Sequence, residues 1–399
     1  MAVAPKTAET VTLNASESKE KADRQFSPAE SSFVREARNF IPATTSASVA
    51  TTPFTLLSTD TSNSKEWAEK TKKSAFTKKE TKFKRVEFQP VFIFVFPFIF
   101  RVGLLIPIAG SGGFMVKIIS DGEFFNVGDS LSCGQTFRFY PYKKGYIALA
   151  EDKCCYAYDE NGRAVIETEK KNEEFFRNYF DLSRDYSQIV SRAIASRFEI
   201  IRRSATLGKG IRIFRQNATE TLFSFMISQN NNIPRIKKSI EAICLALGDK
   251  RSFNGETFYS FPSPERLAEQ DAEFYKKAGL GYRAEYVRRL ATEIAEGFNP
   301  DDLQSLDTPS LRKKLCGIYG VGEKVSDCVS LFGYGRTDSF PVDTWIEKAY
   351  KEDFNGTLAD RKKISAFFCD EFGNDGGFFQ QYLFYYKRSL EKALRDKKT

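Results

Sequence analysis

The sequence of 399 residues contains no histidine. Imidazole is the usual general base near neutral pH and a common zinc ligand, so its absence excludes several kinds of site. Catalytic triads of serine or cysteine that use histidine are among them, as are zinc centres with histidine ligands. Chemistry at this protein must therefore depend on carboxylates, amines, thiols and main-chain groups.

Cysteine is sparse, and its spacing is irregular. The seven cysteines include no pair separated by two residues, and their number is odd. This pattern indicates reduced thiols rather than a disulfide framework, and it lacks the compact four-cysteine cluster of an iron–sulfur site. We expect neither a metal nor another cofactor. The cysteines are Cys133, Cys154, Cys155, Cys244, Cys316, Cys328 and Cys369.

A strong charge imbalance is also missing from most of the chain. The formal net charge is +8, but residues 1–114 hold 16 Lys and Arg against 11 Asp and Glu, so the remaining residues are close to balanced. Bulk charge therefore identifies no partner, and any basic binding surface must be local. Hydrophobic residues make up 41% of the chain and aromatic residues 14%, which is typical of a globular protein with a substantial core.

The first 114 residues differ in composition from the rest. Residues 1–86 are rich in Ser, Thr, Ala and Lys without sustained periodicity, a composition typical of disordered segments. The apolar run VFIFVFPFIFRVGLLIPIAG follows at 91–110, and two prolines and an arginine interrupt it. We interpret residues 1–114 as a low-complexity extension that is not needed for activity, with the functional unit beginning at Met115. A membrane anchor at 91–110 is the alternative.

From Met115 the pattern changes to that of an ordered domain. The segments TFRFYPY, GYIALA, CCYAY and AVIET are rich in β-forming residues, and the last two flank the turn sequence DENG. Residues 115–215 are therefore predicted to form a β-rich N-terminal subdomain. Helical periodicity follows over 216–399, without alternation of strands and helices. The predicted fold class is α+β, mostly α, with a small antiparallel sheet before the helices.

Several helix boundaries are marked by polar residues, prolines or glycines. Thr219 precedes the apolar segment ETLFSFMIS and is predicted to cap it. Ser263 and Thr308 each stand before a proline and are predicted to cap the helices that start there. Pro234 lies near the start of a helix that Gly248 is predicted to end.

The segment LRKKLCGIYGVGEKVSDCVSLF, residues 311–332, is typical of a helix, a tight hairpin and a second helix. Gly320, Val321 and Gly322 form the hairpin, where glycines permit the turn and a close approach of another backbone. Free main-chain N–H groups at the start of the second helix favour an anion such as a DNA phosphate. The sequence therefore predicts a phosphate-binding hairpin.

Two charged residues follow this hairpin. Lys324 lies in the first turn of the second helix, four residues before Cys328, so both side chains share one face. Asp343, in SFPVDTWIEKAY, is predicted to cap a further helix. By themselves these positions also suit a surface lysine and a structural cap. A partly desolvated lysine near a carboxylate is, however, a candidate nucleophile with an electrostatic partner.

The sequence GVGEKVSDC followed by PVD resembles the helix–hairpin–helix DNA glycosylase superfamily. Residues from Met115 onward resemble its 8-oxoguanine DNA glycosylase/lyase family. The resemblance implies that Lys324 attacks C1′ of a damaged nucleotide, that the base leaves, and that a Schiff base then undergoes β-elimination. Asp343 would stabilise the positive charge that develops on the sugar. The implied partner is double-stranded DNA with 8-oxoguanine opposite cytosine, bound by a monomer without an obligate protein partner.

Two further motifs carry the same resemblance and imply the residues that hold the extruded base. CGQTFRF supplies Gly134, whose carbonyl would accept a hydrogen bond from N7–H of 8-oxoguanine. GGFFQQYLFYYKRSLEKAL supplies Gln380, for the Watson–Crick edge of the base. The same helix supplies Phe384, which would stack on the face of the base opposite Cys328.

Two other motifs imply contacts with the part of the duplex from which the damaged base is extruded. SQNNNIPRI supplies Asn230, which would fill the gap left by the base, and Arg235, which would approach the orphaned cytosine. GLGYRAEYV supplies Tyr282, as a wedge that replaces the lost stacking. Its Arg283 would be a second reader of the cytosine, since arginine can donate to the acceptors of that base.

The chain departs from the family pattern after the aspartate. Trp345 occupies a position where many relatives carry a phosphate-binding histidine, and Lys348 or main-chain amides are candidate substitutes. Pro234 also changes the backbone before Arg235. A DNA-docking module without chemistry, and a related glycosylase with another lesion preference, are the competing interpretations. A repair enzyme of this kind is expected in the nucleus of a eukaryotic cell, or otherwise in the cytoplasm.

Overall fold

The computed structural model describes residues 9–12 and 114–396. The apolar run at 91–110 lies outside the described residues, and with it the choice between a dispensable extension and a membrane anchor. Within the described ranges, no helix is both long enough and apolar enough to cross a bilayer.

A six-stranded sheet forms the N-terminal part of the fold, and all its neighbouring strands are antiparallel. The strands are β1 (Glu9–Thr12), β2 (Met115–Asp121), β3 (Phe139–Tyr142), β4 (Gly145–Ala150), β5 (Lys153–Glu160) and β6 (Arg163–Glu169). Their order across the sheet is β1-β2-β6-β5-β4-β3, and the four predicted strands are confirmed as β3 to β6. Asn161 and Gly162, between β5 and β6, have φ values of 51° and 70°, the conformation that a two-residue Asn-Gly hairpin turn requires.

The edge strand β1 lies within the extension for which the sequence indicates disorder. Glu9 is opposite Ile119, and Thr12 is opposite Val116, in β2. The segment ETVT contains β-branched residues, and the edge of β2 offers unpaired main-chain groups, so pairing suits both partners. The expectation of an irregular extension therefore misses this strand.

One face of the sheet packs against two short helices, α1 (Val127–Ser132) and α2 (Glu173–Tyr179). Phe125, Phe176 and Phe214 are buried in this core. Removing such large apolar side chains from water is the main driving force for closing the subdomain. The loop that follows α1 leads from this core into the helical part of the molecule.

A two-stranded hairpin covers the other face of the sheet. Its strands are β7 (Lys250–Phe253) and β8 (Glu256–Tyr259), and Phe253 packs against the outward-facing residues of the sheet. This hairpin corrects the expectation that the chain is helical throughout 216–399. The turn residues Asn254–Gly255 have positive φ values of 52° and 83°. The Asn-Gly pair in SFNGETFY is therefore the sequence signal that predicts this hairpin.

Most of the remaining described residues form helices that share one continuous hydrophobic core. The helices are α3 (Tyr186–Ile194), α4 (Glu199–Gly208), α5 (Ala218–Ser228), α6 (Ile233–Leu247), α7 (Pro264–Ala268), α8 (Ala272–Lys277), α9 (Arg283–Ala295), α10 (Thr308–Cys316), α11 (Glu323–Phe332), α12 (Thr344–Asp353), α13 (Arg361–Phe372) and α14 (Gly376–Asp396). The predicted class, α+β with mostly helical content and a small antiparallel sheet, is confirmed. Helix α4 packs against α14, which ties an early helix to the C-terminal one.

Two of the predicted helix caps are wrong by one or two residues. Asn217, rather than Thr219, caps α5, and its side-chain oxygen accepts a hydrogen bond from the N–H of Glu220 at 2.9 Å. Asp307, rather than Thr308, caps α10 in the same way. Asn and Asp are at least as good as Thr at a helix N-terminus, and in both helices they stand where the chain is still extended.

The other predicted helix boundaries are confirmed. Ser263 caps α7, which begins at Pro264. Pro234 lies in the first turn of α6, and Gly248 ends that helix. Proline already has the φ of a first helical turn and lacks only an N–H that would be unpaired there. Boundaries of this kind are local, so the sequence predicts them well.

The seven cysteines all lie within the described ranges and carry free thiols. Burial raises the pKa of each thiol and is the largest cause of every shift. The pKa is about 11 for Cys133, Cys154 and Cys328, and about 12 for Cys244. These sulfur atoms are therefore protonated at neutral pH.

A buried ion pair joins α10 to α11. The Nε atom of Arg312 lies 2.5 Å from Oδ1 of Asp327, whose side chain is 2% exposed. Ser365, in α13, donates its hydroxyl to Oδ2 of the same carboxyl group at 3.2 Å. Burial raises the pKa of Asp327 to about 7, against the opposing effects of Arg312 and Ser365. These partners therefore help to fix the two helices relative to each other.

We expect Arg312→Met to destabilise the fold, because it leaves the Asp327 carboxylate buried without its arginine partner. The free energy of unfolding should fall by about 3–5 kcal/mol at alkaline pH. The charge of Arg312 lowers the pKa of Asp327, so without it that pKa should rise further above about 7. The loss should therefore be smallest below that pH, where the carboxyl group is protonated in both proteins. Denaturant unfolding on both sides of this pH measures the effect.

Lys362→Met is the matched control, because Lys362 forms an exposed ion pair with Glu323. Exposed ion pairs contribute little to stability. This variant should therefore unfold close to the wild-type midpoint at acid and alkaline pH. Equal destabilisation by the two substitutions at every pH would contradict the role assigned to Arg312.

Candidate active site

The hairpin between α10 and α11 presents an uncapped helix end to solvent. Gly322 is the N-cap of α11 and is exposed, and no side chain of the described residues caps this helix. The first N–H groups of α11 are therefore oriented as the prediction of phosphate binding requires. Val321 differs from that expectation, because its side chain is buried and its N–H donates to the carbonyl of Ile318 at 3.0 Å.

The packing of Gly320 links this hairpin to an aromatic cluster. Gly320 has a φ of +88°, and a Cβ built on it would lie 2.4 Å from the Tyr286 ring. Tyr286 contacts Tyr282 and Tyr319 edge-on, with ring centres 5.8 and 5.4 Å away. Tyr282 is 55% exposed, which suits a residue that enters DNA. The hairpin and the predicted wedge therefore share one set of packed rings.

Arg283 and Gln229 hold the main chain of the asparagine run. Arg283 donates from Nε to the carbonyl of Gln229 at 2.5 Å and from Nη2 to that of Asn230 at 2.7 Å. Gln229 donates from Nε2 to the carbonyl of Gly320 at 2.9 Å. Asn230 has a φ of +44°, a left-handed conformation that asparagine tolerates. The structure thus brings Asn230, Arg283 and the hairpin together, and Tyr282 adjoins them.

Three cationic residues differ in how they relate to this surface. Arg283 is 5% exposed and also donates to the carbonyl of Leu280 at 3.1 Å, so here it positions a loop. Arg235 is exposed at the start of α6, and its N–H donates to the capping residue Asn232. Lys348 is likewise exposed, on α12. Contacts of these three side chains with DNA stay predictions.

Gln229 and Tyr286 are not among the residues predicted from the sequence. Tyr286 follows Tyr282 by four residues, so helical spacing is a signal that the two rings share a face. Gln229 stands directly before the asparagine run, but its bond reaches a residue 91 positions away. Such a bond depends on the tertiary structure and has no local signal.

Lys324 and Cys328 meet in the first turns of α11. Lys324 is half-buried, and its ammonium nitrogen lies 5.1 Å from the centre of the Phe225 ring. Burial raises the pKa of the Cys328 thiol to about 11, and the nearby charge of Lys324 opposes that shift. The thiol is therefore neutral at physiological pH. The amine is the better candidate nucleophile of the pair.

Asp343 caps α12, as predicted, and lies close enough to Lys324 for their charges to interact. Its Oδ1 accepts hydrogen bonds from the N–H groups of Trp345 at 3.0 Å and Ile346 at 2.9 Å. Burial raises the pKa of Asp343, and the bond from Ile346 and the charge of Lys324 oppose the shift only in part. Because both capping bonds go to Oδ1, Oδ2 is the oxygen that can face a cation.

Helix α14 meets the loop after α1 beside these residues. Gln380 is 5% exposed and donates from Nε2 to the carbonyl of Pro341 at 3.2 Å, two residues before Asp343. Gly134 has a φ of +95°, and a Cβ built on it would lie 3.3 Å from Phe384. Gly134 and Phe384 are therefore neighbours, and Gln380 adjoins the segment that carries the aspartate. These are the residues that the sequence predicts to hold an extruded base.

We expect Gly320→Ala to destabilise the hairpin, because the added Cβ would overlap the Tyr286 ring and a φ of +88° disfavours a side chain. The free energy of unfolding should fall by about 1–3 kcal/mol. Binding to duplex DNA should weaken as well, since Tyr286 also supports Tyr282. Denaturant unfolding and titration of a labelled duplex measure the two effects.

Gly322→Ala is the control within the same hairpin. Its φ is −97°, and no described atom lies within 4 Å of a Cβ built there. The free energy of unfolding should stay within about 0.5 kcal/mol of wild type. If Gly320→Ala proves equally stable, Tyr286 does not determine the conformation of the hairpin.

Comparison with known proteins gives matches over most of the described chain. Residues 117–222 match the family model of the 8-oxoguanine DNA glycosylase N-terminal domain, and residues 223–371 match that of HhH-GPD superfamily base excision DNA repair proteins. A probable N-glycosylase/DNA lyase of Methanothermobacter thermautotrophicus is 32% identical over 200 residues, which are 45% of this chain and 64% of the relative. The N-glycosylase/DNA lyase OGG1 of Arabidopsis thaliana is 33% identical over 201 residues, 47% of this chain and 54% of the relative. The chain thus spans less than two thirds of these curated relatives.

Solved structures show the same relationship over a larger share of the chain. The 8-oxoguanine glycosylase/lyase of Clostridium acetobutylicum was solved in complex with double-stranded DNA containing cytosine opposite 8-oxoguanine. It is 36% identical to this chain with a TM-score of 0.66, and the match covers 69% of this chain and 96% of that one. The chain therefore belongs to the 8-oxoguanine DNA glycosylase family of the helix–hairpin–helix superfamily.

Proposed function

We propose that the protein is a bifunctional DNA glycosylase and abasic-site lyase that removes 8-oxoguanine from double-stranded DNA. One observation carries the proposal: a half-buried lysine, Lys324, and a half-buried aspartate, Asp343, stand at the N-termini of two helices, close enough for their charges to interact. A module that only docks on DNA needs neither residue there. The relatives named N-glycosylase/DNA lyase, and the solved glycosylase with 8-oxoguanine opposite cytosine, support the same activity and substrate.

Lys324 is the nucleophile of the proposed reaction. Its neutral amine bonds to C1′ of the damaged nucleotide as the C1′–N9 bond breaks, and the base leaves with the electron pair of that bond. The departing base takes up the proton released from the amine, and opening of the sugar ring gives a Schiff base. Loss of a proton from C2′ then expels the 3′ phosphate, and water hydrolyses the Schiff base to regenerate the lysine. Covalent catalysis thereby divides one difficult displacement into easier steps.

Asp343 supplies electrostatic stabilisation. Positive charge develops at C1′ and O4′ of the sugar as the base leaves. The carboxylate is half-buried and held by two main-chain N–H groups, so it faces that charge without reorganisation. A preorganised charge in a desolvated site stabilises a transition state far more than the same charge in water.

The proposed base pocket lies between α14 and the loop after α1. The carbonyl of Gly134 accepts N7–H, a donor that 8-oxoguanine has and guanine lacks. Gln380 binds the Watson–Crick edge of the base, while Phe384 and Cys328 cover its two faces. The neighbouring positions of Gly134 and Phe384, and the contact of Gln380 with the segment before Asp343, support this arrangement.

The proposed DNA-binding surface includes the hairpin and the asparagine run. The main chain around Gly320–Gly322 binds phosphate, Asn230 fills the space of the extruded base, and Tyr282 is the wedge. Arg235 and Arg283 are the proposed readers of the orphaned cytosine. The shared contacts of Gln229, Tyr286 and the hairpin support one continuous surface. A genomic substrate places the enzyme in the nucleus of a eukaryotic cell, or otherwise in the cytoplasm.

We expect Lys324→Gln to abolish covalent trapping on a duplex that contains 8-oxoguanine. Borohydride reduces the Schiff base to a stable protein–DNA adduct, and an amide side chain cannot form that Schiff base. Gel electrophoresis of the trapped product measures the loss. Binding of the variant to an uncleavable duplex should remain near wild type, because the main chain of the hairpin is unchanged.

Lys351→Gln serves as the control for this substitution. Lys351 lies in α12, where its ammonium pairs with Glu347 at 2.6 Å. The variant loses one lysine charge but keeps Lys324, so trapping should match wild type. An adduct that persists without Lys324, or its absence from the wild-type protein, argues against the proposed chemistry.

Asp343→Asn should slow base excision while leaving DNA binding largely intact. The loss should be roughly 3 kcal/mol or more of transition-state stabilisation, or about 100-fold in rate. Asparagine remains a good helix cap, so α12 should keep its start and the effect should not come from unfolding. Single-turnover excision and duplex titration measure the two properties, and near-normal excision would refute the role of the carboxylate.

The pH dependence of excision tests the same group. Burial raises the pKa of Asp343 above its ordinary value of 3.8. Because the carboxylate form is the active one, the wild-type rate should fall as the pH decreases through this raised pKa. Asp343→Asn should lack that acid limb. If the excision rate falls at the same acidic pH in both proteins, a group other than Asp343 causes that fall.

A further inference from the structure

Helix α14 carries three side chains that follow one another at intervals of four residues. They are Gln380, Phe384 and Arg388, and this spacing places them on one helix face. Gln380 and Phe384 belong to the proposed base pocket. Arg388 has no role in that proposal, although it extends the same row of side chains by one turn.

The guanidinium of Arg388 lies beside both Gly134 and Phe384. Its Nη2 donates to the carbonyl of Ser132 at 2.5 Å, and its central carbon is 5.5 Å from the centre of the Phe384 ring. Its Nη1 is 3.5 Å from the position of a Cβ built on Gly134. A charged hydrogen-bond donor is therefore held where the loop that contains Gly134 contacts Phe384.

Two atoms of this row are buried polar groups without partners. Nη1 of Arg388 and Oε1 of Gln380 have no hydrogen-bond partner within the ranges that the structure describes. Most buried polar atoms in proteins are paired, so an unpaired donor and an unpaired acceptor in one row need an explanation. A ligand with an acceptor on one edge and donors on another would satisfy both atoms.

We infer that Arg388 contacts the extruded base, donating from Nη1 to an exocyclic carbonyl oxygen. The inference rests on the proposed function. In 8-oxoguanine, O6 and O8 lie on either side of N7, so a donor beside Gly134 is next to one of them when the glycine carbonyl accepts N7–H. The Watson–Crick edge of the base carries N–H donors, and Oε1 of Gln380 can accept hydrogen bonds from them. Phe384 is partly exposed, so reorientation of its ring opens the two atoms to the base.

If Arg388 has a purely structural role, its removal should have a different effect. Its bond to Ser132 fastens the loop that carries Gly134, and Gln381 fastens the same loop by donating to the carbonyl of Cys133 at 3.0 Å. If that were the whole role, its loss would disturb every activity of the site. A contact with the base affects only reactions in which a base occupies the pocket.

The test compares two substrates with the purified full-length protein. Arg388→Met keeps an unbranched, flexible side chain but removes all its donors. Excision of 8-oxoguanine opposite cytosine should slow by about 10- to 100-fold in single-turnover assays, the scale of one hydrogen bond from a charged donor. Borohydride trapping on a duplex with a preformed abasic site should stay within about twofold of wild type, because no base enters the pocket.

Two further variants complete the experiment. Arg197→Met is the matched control, since Arg197 pairs with Glu371 on an exposed surface and should leave both reactions unchanged. Arg388→Lys keeps the charge and one donor for Ser132 but lacks the second nitrogen. It should trap the abasic duplex normally and still excise 8-oxoguanine more slowly than wild type.

The outcomes separate the inference from the function on which it rests. A wild-type protein that neither excises 8-oxoguanine nor traps on DNA overturns both. An active wild type with unimpaired Arg388→Met, or with full rescue by Arg388→Lys, overturns the base contact alone. Equal loss of excision and of abasic-site trapping assigns Arg388 a structural role and also overturns the inference.

Discussion

A half-buried amine and a half-buried carboxylate, each at the start of a helix, are the constraint on which the rest of the site depends. Moving a charged group out of water costs free energy unless other charges and hydrogen bonds replace its contacts with water. The fold provides two N–H donors and the start of α12 for Asp343, and the face of Phe225 for Lys324. In the proposed reaction, the sugar that becomes positively charged faces an oriented carboxylate rather than mobile water.

The long C-terminal helix connects this pair to the sheet subdomain. In addition to the bonds to Ser132 and Cys133, the hydroxyl of Tyr385 donates to Asp129 of α1 at 2.6 Å. Gln380, on the same helix, contacts the segment that precedes Asp343. One helix therefore positions residues from distant parts of the sequence, and the proposed base pocket depends on both the sheet subdomain and the helices.

Spacing along the chain predicts much of the fold and part of the site. The four strands, the hairpin before Lys324 and the cap at Asp343 depend on local patterns, which a sequence contains. Gly134 is identified only through family resemblance. Every residue has a main-chain carbonyl, so composition and periodicity cannot indicate which one binds a ligand. The bonds of Arg283 to main-chain carbonyls and the burial of Asp327 depend on segments far away in the sequence. They could not be predicted, since charged residues at such positions usually face solvent.

The raised pKa values of the thiols affect how the protein withstands oxidation. Peroxide reacts with thiolates far faster than with thiols, and buried protonated sulfur atoms offer few such targets. This protection includes Cys328, which stands beside the proposed nucleophile. Low thiolate content therefore makes these sulfur atoms poor targets for peroxide, which suits a protein proposed to act on oxidised purines.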